Sequence, residues 1–246
     1  MTPVPQLDWL TVFLDFPTAE FGPGAAFWRD ATGYALSASR GAANEFASLV
    51  PAHGHEYLRV QRLQTGSTRL HLDLHVADPY AAAESAEQLG ADLVDESEHG
   101  YFVLRSPAGI VFCLLRHPGS VVPAARQWPD DHSSRVVEVC LDAPPAAFEA
   151  ESAFWQAMAP GAWLPDADDT VRRPGGALAV ALRLQRNQLG TGAGAHLHIG
   201  TDDLGAEVDR LVALGARTRL VRPRRTVLEA PGGTAFCVVE AAGELR

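Results

Sequence analysis

Histidine and aspartate side chains alternate with apolar residues in one short stretch, where residues 70–76 read Leu-His-Leu-Asp-Leu-His-Val. Because successive side chains of a β-strand point to opposite faces, His71, Asp73 and His75 are expected to project together from one face. Imidazole and carboxylate groups placed in this way can bind a metal ion or exchange protons near neutral pH. The pattern therefore predicts His71 and Asp73 as catalytic residues and His75 as a ligand-binding residue.

A related pattern returns 125 residues later, where residues 195–201 read Ala-His-Leu-His-Ile-Gly-Thr. His196 and His198 are expected to share one strand face, as half of a metal site or as ligand-binding groups. Each cluster also has a purely structural interpretation, in which the polar side chains hydrogen-bond to one another inside the protein. The sequence leaves both interpretations open.

The chain is a tandem repeat, and repeats at a fixed period indicate repeated structural units. Further blocks recur in the same order at offsets of 124 to 127 residues: 27–28 with 154–155, 58–62 with 182–186, 89–91 with 214–216, and 107–113 with 231–237. A length of 246 residues suits two domains of ordinary size. We predict a first domain at 1–117, a proline-containing linker at 118–134 and a second domain at 135–246.

Composition and charge narrow the class of partner. The formal net charge of −10 is unfavourable for binding a phosphate backbone. No run approaches the roughly 20 apolar residues of a membrane span, and the start has no secretory signal pattern. Three cysteines without a Cys-x-x-Cys motif indicate a reducing compartment. The sequence thus predicts a cytoplasmic protein that binds a small molecule, as a monomer with paired domains or as a homodimer.

Hydrophobic periodicity and turn residues predict the same order of elements four times, a strand, a helix and three strands. The apolar run 7–16 predicts a buried strand, and Asp78 followed by Pro79 marks a helix start. An α+β fold follows. The helices are expected near 18–33, 79–90, 146–159 and 204–215, and the strands near 7–16, 34–38, 44–50, 55–63, 70–76, 92–96, 99–105, 110–116, 136–141, 178–185, 196–201, 217–222, 225–230 and 234–240.

These features resemble the vicinal oxygen chelate (VOC) superfamily, in its glyoxalase/bleomycin-resistance branch and specifically its glyoxalase-like domains. The resemblance rests on the paired strand-helix-three-strand units, the strand from His71 to its end at Asp78, and the Pro-x-Gly-x-x-x-Cys end strands at 107–113 and 231–237. It implies four βαβββ units that form two glyoxalase-like domains, with curved, mainly antiparallel sheets around a cavity.

The resemblance also implies where a divalent metal would bind. His71 and His196 match the family's metal-ligand histidine, seven residues before a strand-ending aspartate. At the same position of the first unit in each domain stand Asp8, another possible ligand, and Arg135, which cannot bind metal. Cys113 and Cys237 occupy the position of the usual glutamate ligand, and buried inert cysteine is a second interpretation of both.

Three candidate functions follow from these departures. The first is binding of a small organic molecule in the cavity without a complete metal site, as in the drug-sequestering members of the family, and no cofactor is then required. The alternative is a divalent-metal-dependent lyase, isomerase or dioxygenase that uses Asp8 and His71 in the first domain. A metal-free enzyme based on His71 and Asp73 is a third possibility. Besides the histidines, the predicted ligand-binding residues are Arg59, Gln61, Arg183 and Gln185.

Overall fold

A computed structural model describes residues 6–116, 121–129, 131–166, 170–176, 178–187 and 192–245 of the chain. The helices are α1 (Thr18–Thr32), α2 (Pro79–Gln88), α3 (Phe148–Met158) and α4 (Leu204–Ala213), with a short 3-10 helix at Ala242–Glu244. None of the helices in these ranges has the length and apolar character needed to cross a membrane. The strands are β1 (Leu7–Pro17), β2 (Ala35–Leu36), β3 (Phe46–Val50), β4 (Leu58–Leu63), β5 (Arg69–Val76), β6 (Asp92–Glu96), β7 (Phe102–Arg105), β8 (Val111–Leu115), β9 (Arg126–Gln127), β10 (Ser133–Ala143), β11 (Leu164–Asp166), β12 (Thr170–Arg173), β13 (Ala181–Arg186), β14 (Gly194–Thr201), β15 (Arg217–Arg222), β16 (Arg225–Glu229) and β17 (Ala235–Glu240).

The predicted α+β fold is confirmed, because the elements form four consecutive βαβββ units. The strands of the first two units make an N-terminal sheet in the order β2-β3-β4-β1-β5-β8-β7-β6. Those of the last two units make a C-terminal sheet in the corresponding order β11-β12-β13-β10-β14-β17-β16-β15, and β9 pairs with β10. The repeat seen in the sequence is thus a repeat of strand order.

The hairpin strands within each βαβββ unit pair antiparallel, as predicted. In each sheet a parallel pair joins strands of the second unit: β5 with β8, and β14 with β17. Both parallel pairs join the first and last strands of a unit, since a helix and two further strands return the chain to run in the same direction. These parallel pairs carry the residues of chemical interest.

Helices α2 and α4 each begin directly after an aspartate that follows the preceding strand. The Asp78 carboxylate accepts hydrogen bonds from the backbone N–H groups of Tyr80 and Ala81 at the start of α2, so the predicted N-cap is confirmed. Asp203 caps α4 in the same way through the N–H of Ala206. Each cap satisfies backbone donors that have no partner inside the helix.

Three strands lie where the sequence predicted none: β9, β11 and β12. All are short, at 2 to 4 residues, which leaves too few positions for an alternating pattern to be recognised. The start of β10 at Ser133 also lies two residues inside the predicted linker. The domain boundaries at 117 and 135 remain a prediction about the sequence repeat.

The chain separates into two compact units. Unit 1 comprises Met1–Val12, Leu70–Ser120 and Val139–Ala195, and unit 2 comprises Phe13–Arg69, Val121–Glu138 and His196–Arg246. Each unit therefore takes segments from both sequence repeats.

Aromatic clusters at matching repeat positions form the core of each unit. In unit 1 the Trp155 ring of α3 lies 5.4 Å from the Phe112 ring of β8. In unit 2 the Trp28 ring of α1 lies 5.2 Å from the Phe236 ring of β17. All four side chains are fully buried, so both tryptophans are core residues.

A buried carboxylate ties α3 to the turn between β7 and β8 in unit 1. Glu151, which has no exposed surface, accepts hydrogen bonds from the Ser106 hydroxyl at 2.6 Å and the Ala108 N–H at 2.7 Å. It also accepts one from the Trp155 indole N–H at 2.6 Å. Three donors compensate for the cost of removing the carboxylate from water.

We expect Glu151→Ala to lower the free energy of unfolding by about 3 kcal/mol, because it leaves buried donors without an acceptor. Urea unfolding followed by tryptophan fluorescence would measure the change. Glu149→Ala on the same helix is the control: this side chain is 81% exposed, so the expected change is within about 0.5 kcal/mol. Equal effects of the two substitutions would contradict this role of Glu151.

Unit 2 has a glycine at the position that corresponds to Glu151. A Cβ added to Gly24 would lie 2.5 Å from Cε1 of the buried Phe16 ring. We expect Gly24→Ala to destabilise the protein by about 1–3 kcal/mol through overpacking, measured by the shift in urea midpoint. A Cβ at Gly22 of the same helix meets nothing within 4 Å, so Gly22→Ala should shift the midpoint far less. A smaller effect at Gly24 than at Gly22 would be evidence against this packing.

Candidate functional site

The parallel pair β14–β17 brings two histidines and a cysteine together in unit 2. His196 and His198 lie on the same face of β14 because they are two residues apart. His198 is in register with Cys237 of β17. We call His196, His198 and Cys237 the C-terminal cluster.

The imidazole rings of this cluster face each other through their Nε2 atoms, which are 3.1 Å apart. On the far side of the second ring, His198 Nδ1 lies 2.8 Å from Glu138 Oε1 of β10. The His198 and Glu138 side chains are only 4% and 3% exposed, so this ion-pair geometry is shielded from water. Both nitrogens of His198 therefore have fixed partners.

Glu138 sets the tautomer of His198. A carboxylate only accepts hydrogen bonds, so His198 Nδ1 must carry the proton that it donates to Glu138. In the neutral ring, the lone pair of His198 then lies on Nε2 and points towards His196. A carboxylate that orients a histidine in this way is the arrangement commonly found behind metal-binding imidazoles.

The environment of Cys237 favours the thiolate. Burial raises the pKa of the Cys237 thiol, but the neighbouring imidazoles of His196 and His198 outweigh burial and lower the pKa to about 6. The sulfur is thus a potential ligand or nucleophile rather than an inert core atom. The role of Cys237 as a ligand stays a prediction.

These donors fit a divalent metal ion. Two nitrogens bound to one tetrahedral zinc ion at about 2.0–2.1 Å lie roughly 3.3 Å apart, close to the observed separation of the two Nε2 atoms. A metal-free hydrogen bond between the rings satisfies the same geometry, with His196 Nε2–H donating to His198 Nε2.

The N-terminal sheet places His71, Asp73 and Cys113 at the corresponding positions, within unit 1. Asp73 is in register with Cys113 across the parallel pair β5–β8. The potential ligand atoms of the three residues lie within 4.8 Å of one another, and His71 Nε2 is 3.8 Å from Asp73 Oδ1. We call these residues the N-terminal cluster. The predicted catalytic pair is therefore close together, with the cysteine beside it.

His75 has a different hydrogen-bond partner from His71 and Asp73, which share its strand face. Its Nε2 lies 2.9 Å from the Thr11 hydroxyl, and the side chain is almost fully buried. Thr11 stands at the repeat position of Glu138, since both precede a strand-ending aspartate by four residues. The orienting carboxylate of the C-terminal sheet is thus replaced by a hydroxyl in the N-terminal sheet.

Asp8 and Arg135 stand at the predicted ligand position in the first strand of each domain. Asp8 is exposed and is not part of the group of potential ligand atoms around His71 in the described chain. Arg135 is half-buried in unit 2 and hydrogen-bonds to the Tyr57 hydroxyl. That hydroxyl donates in turn to the backbone oxygen of Val136 at 3.0 Å.

The other predicted ligand-binding residues are partly buried, and three of them have identified polar partners. Arg59 of unit 2 pairs with Glu56 at 3.6 Å and lies over the Phe13 ring, while Gln61 follows two residues later on β4. In unit 1, Arg183 donates to the Thr170 hydroxyl at 2.9 Å, and Gln185 donates to Asp142 Oδ1 at 2.6 Å. Their role in ligand binding stays a prediction.

Glu138 is the functional residue that sequence reasoning missed. The family position was located by counting seven residues back from the strand-ending aspartate, which gave Arg135 on the opposite strand face. The available signal was a single carboxylate inside the apolar run Val136–Leu141. A buried carboxylate requires a hydrogen-bond donor or a cation beside it, and histidine can supply either.

The chain was compared with known proteins. The family model of the glyoxalase-like domain matches residues 11–115 and 138–239. No curated protein matches the sequence. The fold is similar to the Mn(II)-bound glyoxalase from Novosphingobium aromaticivorans, with a TM-score of 0.64 and 14% identity over 98% of this chain and 84% of that chain.

Two further solved structures share the fold. The 2,2',3-trihydroxybiphenyl 1,2-dioxygenase from Sphingomonas wittichii has a TM-score of 0.59 and 17% identity over 97% of this chain and 91% of that chain. A xylose isomerase-like TIM barrel/4-hydroxyphenylpyruvate dioxygenase fusion protein has a TM-score of 0.63 and 16% identity over 97% of this chain, which spans 49% of the fusion protein. Because the family model covers most of both repeats, this chain belongs to the glyoxalase-like domain family of the VOC superfamily.

Proposed function

We propose that this protein is a divalent-metal-dependent enzyme that acts on a small organic molecule, with its metal site at the C-terminal cluster. The observation that carries the proposal is the convergence of the His196 and His198 Nε2 atoms, 3.1 Å apart, with a carboxylate behind one ring. The Mn(II)-bound glyoxalase that shares the fold supports a metal in this architecture. The sequence analysis placed a metal site in the first domain, and the N-terminal cluster there is our second choice for its location.

Residues of the C-terminal sheet would have distinct roles in such a site. His196 and His198 would hold the ion through Nε2, and Glu138 would keep His198 in the tautomer that presents its lone pair. A bound divalent ion would polarise adjacent oxygen atoms of the substrate and stabilise an enolate. A lyase, an isomerase and a dioxygenase all remain within this class.

The N-terminal cluster would serve as an acid–base pair. His71 and Asp73 lie together, but the position of Glu138 is taken by Thr11, so no carboxylate of β1 orients a ligand there. Asp73 supplies an oxygen donor where the C-terminal cluster has a second imidazole. The two clusters therefore differ in both charge and donor atoms, and we assign the stronger metal affinity to the C-terminal one.

A metal-free binding protein is the second candidate. The observation that favours it is the cysteine at both positions where the family usually has a glutamate ligand, Cys113 and Cys237. In that case the polar clusters would anchor a small organic molecule through hydrogen bonds. The two candidates disagree on metal content, so the same measurement separates them.

We expect about one equivalent of a divalent transition metal in tag-free protein purified without chelator, by elemental analysis. His196→Ala should reduce the content at least tenfold, because it removes one of two imidazole ligands. His53→Ala, at an exposed position, is the control and should keep the metal. Loss of the metal in His71→Ala but not in His196→Ala would place the site in the N-terminal sheet instead. No metal, and none taken up on titration, would support the binding protein.

We also expect Glu138→Gln to weaken metal affinity by about 10- to 100-fold, since outer partners of ligating histidines have effects of this size. The amide oxygen still accepts the proton of His198 Nδ1, but the negative charge that raises the basicity of the ring is lost. Competition against a chromophoric chelator would measure the affinity. Thr11→Val, at the equivalent position of the other sheet, should leave it unchanged. An unchanged affinity in Glu138→Gln would argue against the orienting role.

A further inference from the structure

We propose that two edge strands of opposite charge, β6 and β15, dock copies of this chain onto one another. β6 (Asp92–Glu96) is the terminal strand of the N-terminal sheet, and β15 (Arg217–Arg222) is the terminal strand of the C-terminal sheet. In the described chain each of them has a single strand neighbour, β7 or β16. The proposal concerns assembly and is independent of the proposed function.

Both edge strands are exposed along their whole length. Each also carries an adjacent pair of exposed apolar residues, Leu93 and Val94 in β6 and Leu220 and Val221 in β15. An exposed edge of this kind offers backbone groups and apolar surface to another strand, and proteins usually protect such edges with charged side chains. The charges on the two edges therefore decide which partner each edge can accept.

Charged residues flank the apolar pair in both strands, but their signs are opposite. Residues 92–95 read Asp-Leu-Val-Asp, and residues 219–222 read Arg-Leu-Val-Arg. β6 adds a further carboxylate at Glu96, and β15 adds a further guanidinium at Arg217. Contact between two copies of the same edge would oppose like charges, whereas contact of β6 with β15 of a second copy opposes unlike charges. The charges thus prevent each edge from pairing with itself and favour one pairing between copies.

One antiparallel register satisfies both four-residue motifs at once. In that register the two Leu-Val pairs face each other, and the flanking residues form the pairs Asp92–Arg222 and Asp95–Arg219 between copies. Opposite charges directly across a strand pair stabilise the pairing. Arg219 already pairs with Glu229 of β16 at 2.7 Å, so we assign the larger share of the contact to Arg222.

A register shift interrupts each edge strand, between Leu93 and Asp95 in β6 and between Thr218 and Leu220 in β15. Irregularities of this kind disrupt a backbone ladder, so side-chain pairs would supply most of the attraction between copies. Salt screens exposed charges, with a Debye length of about 8 Å at physiological ionic strength and about 3 Å at 1 M. The contact is therefore expected to be weak and sensitive to salt.

Sedimentation velocity of the full-length chain over a concentration series tests the proposal. We expect the mean mass to rise with concentration in about 20 mM salt, and the dissociation constant to be at least tenfold larger in about 500 mM salt. Each copy has one acidic and one basic edge, so the contact is heterologous and builds a closed ring or an open chain. Either form of assembly supports the contact.

Charge reversal identifies the surfaces involved. Asp92→Arg with Asp95→Arg makes both edges basic, and Arg219→Asp with Arg222→Asp makes both edges acidic. Each double variant alone should associate at least tenfold more weakly than the unmodified chain, because its edges now repel one another. An equimolar mixture of the two should recover association, since every acidic edge then meets a basic one.

A matched control separates the edges from a general effect of charge. Glu84 and Glu87 of α2 are exposed, so Glu84→Arg with Glu87→Arg makes the same change in net charge away from both edges. This control should leave the association unchanged. If a reversed variant does not fold, the milder Asp92→Asn with Asp95→Asn replaces it, and the salt series on the unmodified chain needs no variant.

Three results would overturn the proposal. The first is a single-chain mass at every concentration in low salt. The second is association that both reversed variants retain in full, which would place the contact on another surface. The third is a mixture of the reversed variants that associates no better than either variant alone, because that result excludes pairing of an acidic edge with a basic one.

Discussion

The in-register parallel pairing of the first and last strands of a βαβββ unit is the constraint on which the rest of this structure depends. In β14 and β17 it sets His198 beside Cys237, and in β5 and β8 it sets Asp73 beside Cys113. A slip of one residue would turn each of these side chains to the opposite face of its sheet. The two clusters therefore occupy equivalent positions in the two sheets, and they differ only in the identity of their side chains.

Because these positions are buried, the choice of side chain there has a large effect on stability. Glu138 is almost completely buried, and its charge is tolerated because His198 donates to it at 2.8 Å. Removing either partner would cost the other a buried hydrogen bond, which is destabilising. In the N-terminal sheet the smaller Thr11 hydroxyl stands at this position and pairs with His75, and the buried carboxylates of that sheet are Asp15 and Asp73.

The sequence was sufficient for the architecture and for the strand faces, but only partly for the sites. Alternation placed His71 with Asp73 and His196 with His198, and the helix start at Asp78 was confirmed because capping is a local interaction. Counting from strand ends failed to find Glu138, since the position of a partner across two strands depends on the register between them. The contrast between the two cysteines was also invisible, because it depends on which neighbours lie beside each sulfur.

The aromatic core of each compact unit combines residues from both sequence repeats. Trp28 packs on Phe236 and Trp155 packs on Phe112, so each compact unit combines a helix from one repeat with a strand from the other. A chain of half this length could build such a unit only from two copies of itself, with identical residues at both chemical positions. In one chain the two positions can hold different residues, and Glu138 stands at one where Thr11 stands at the other.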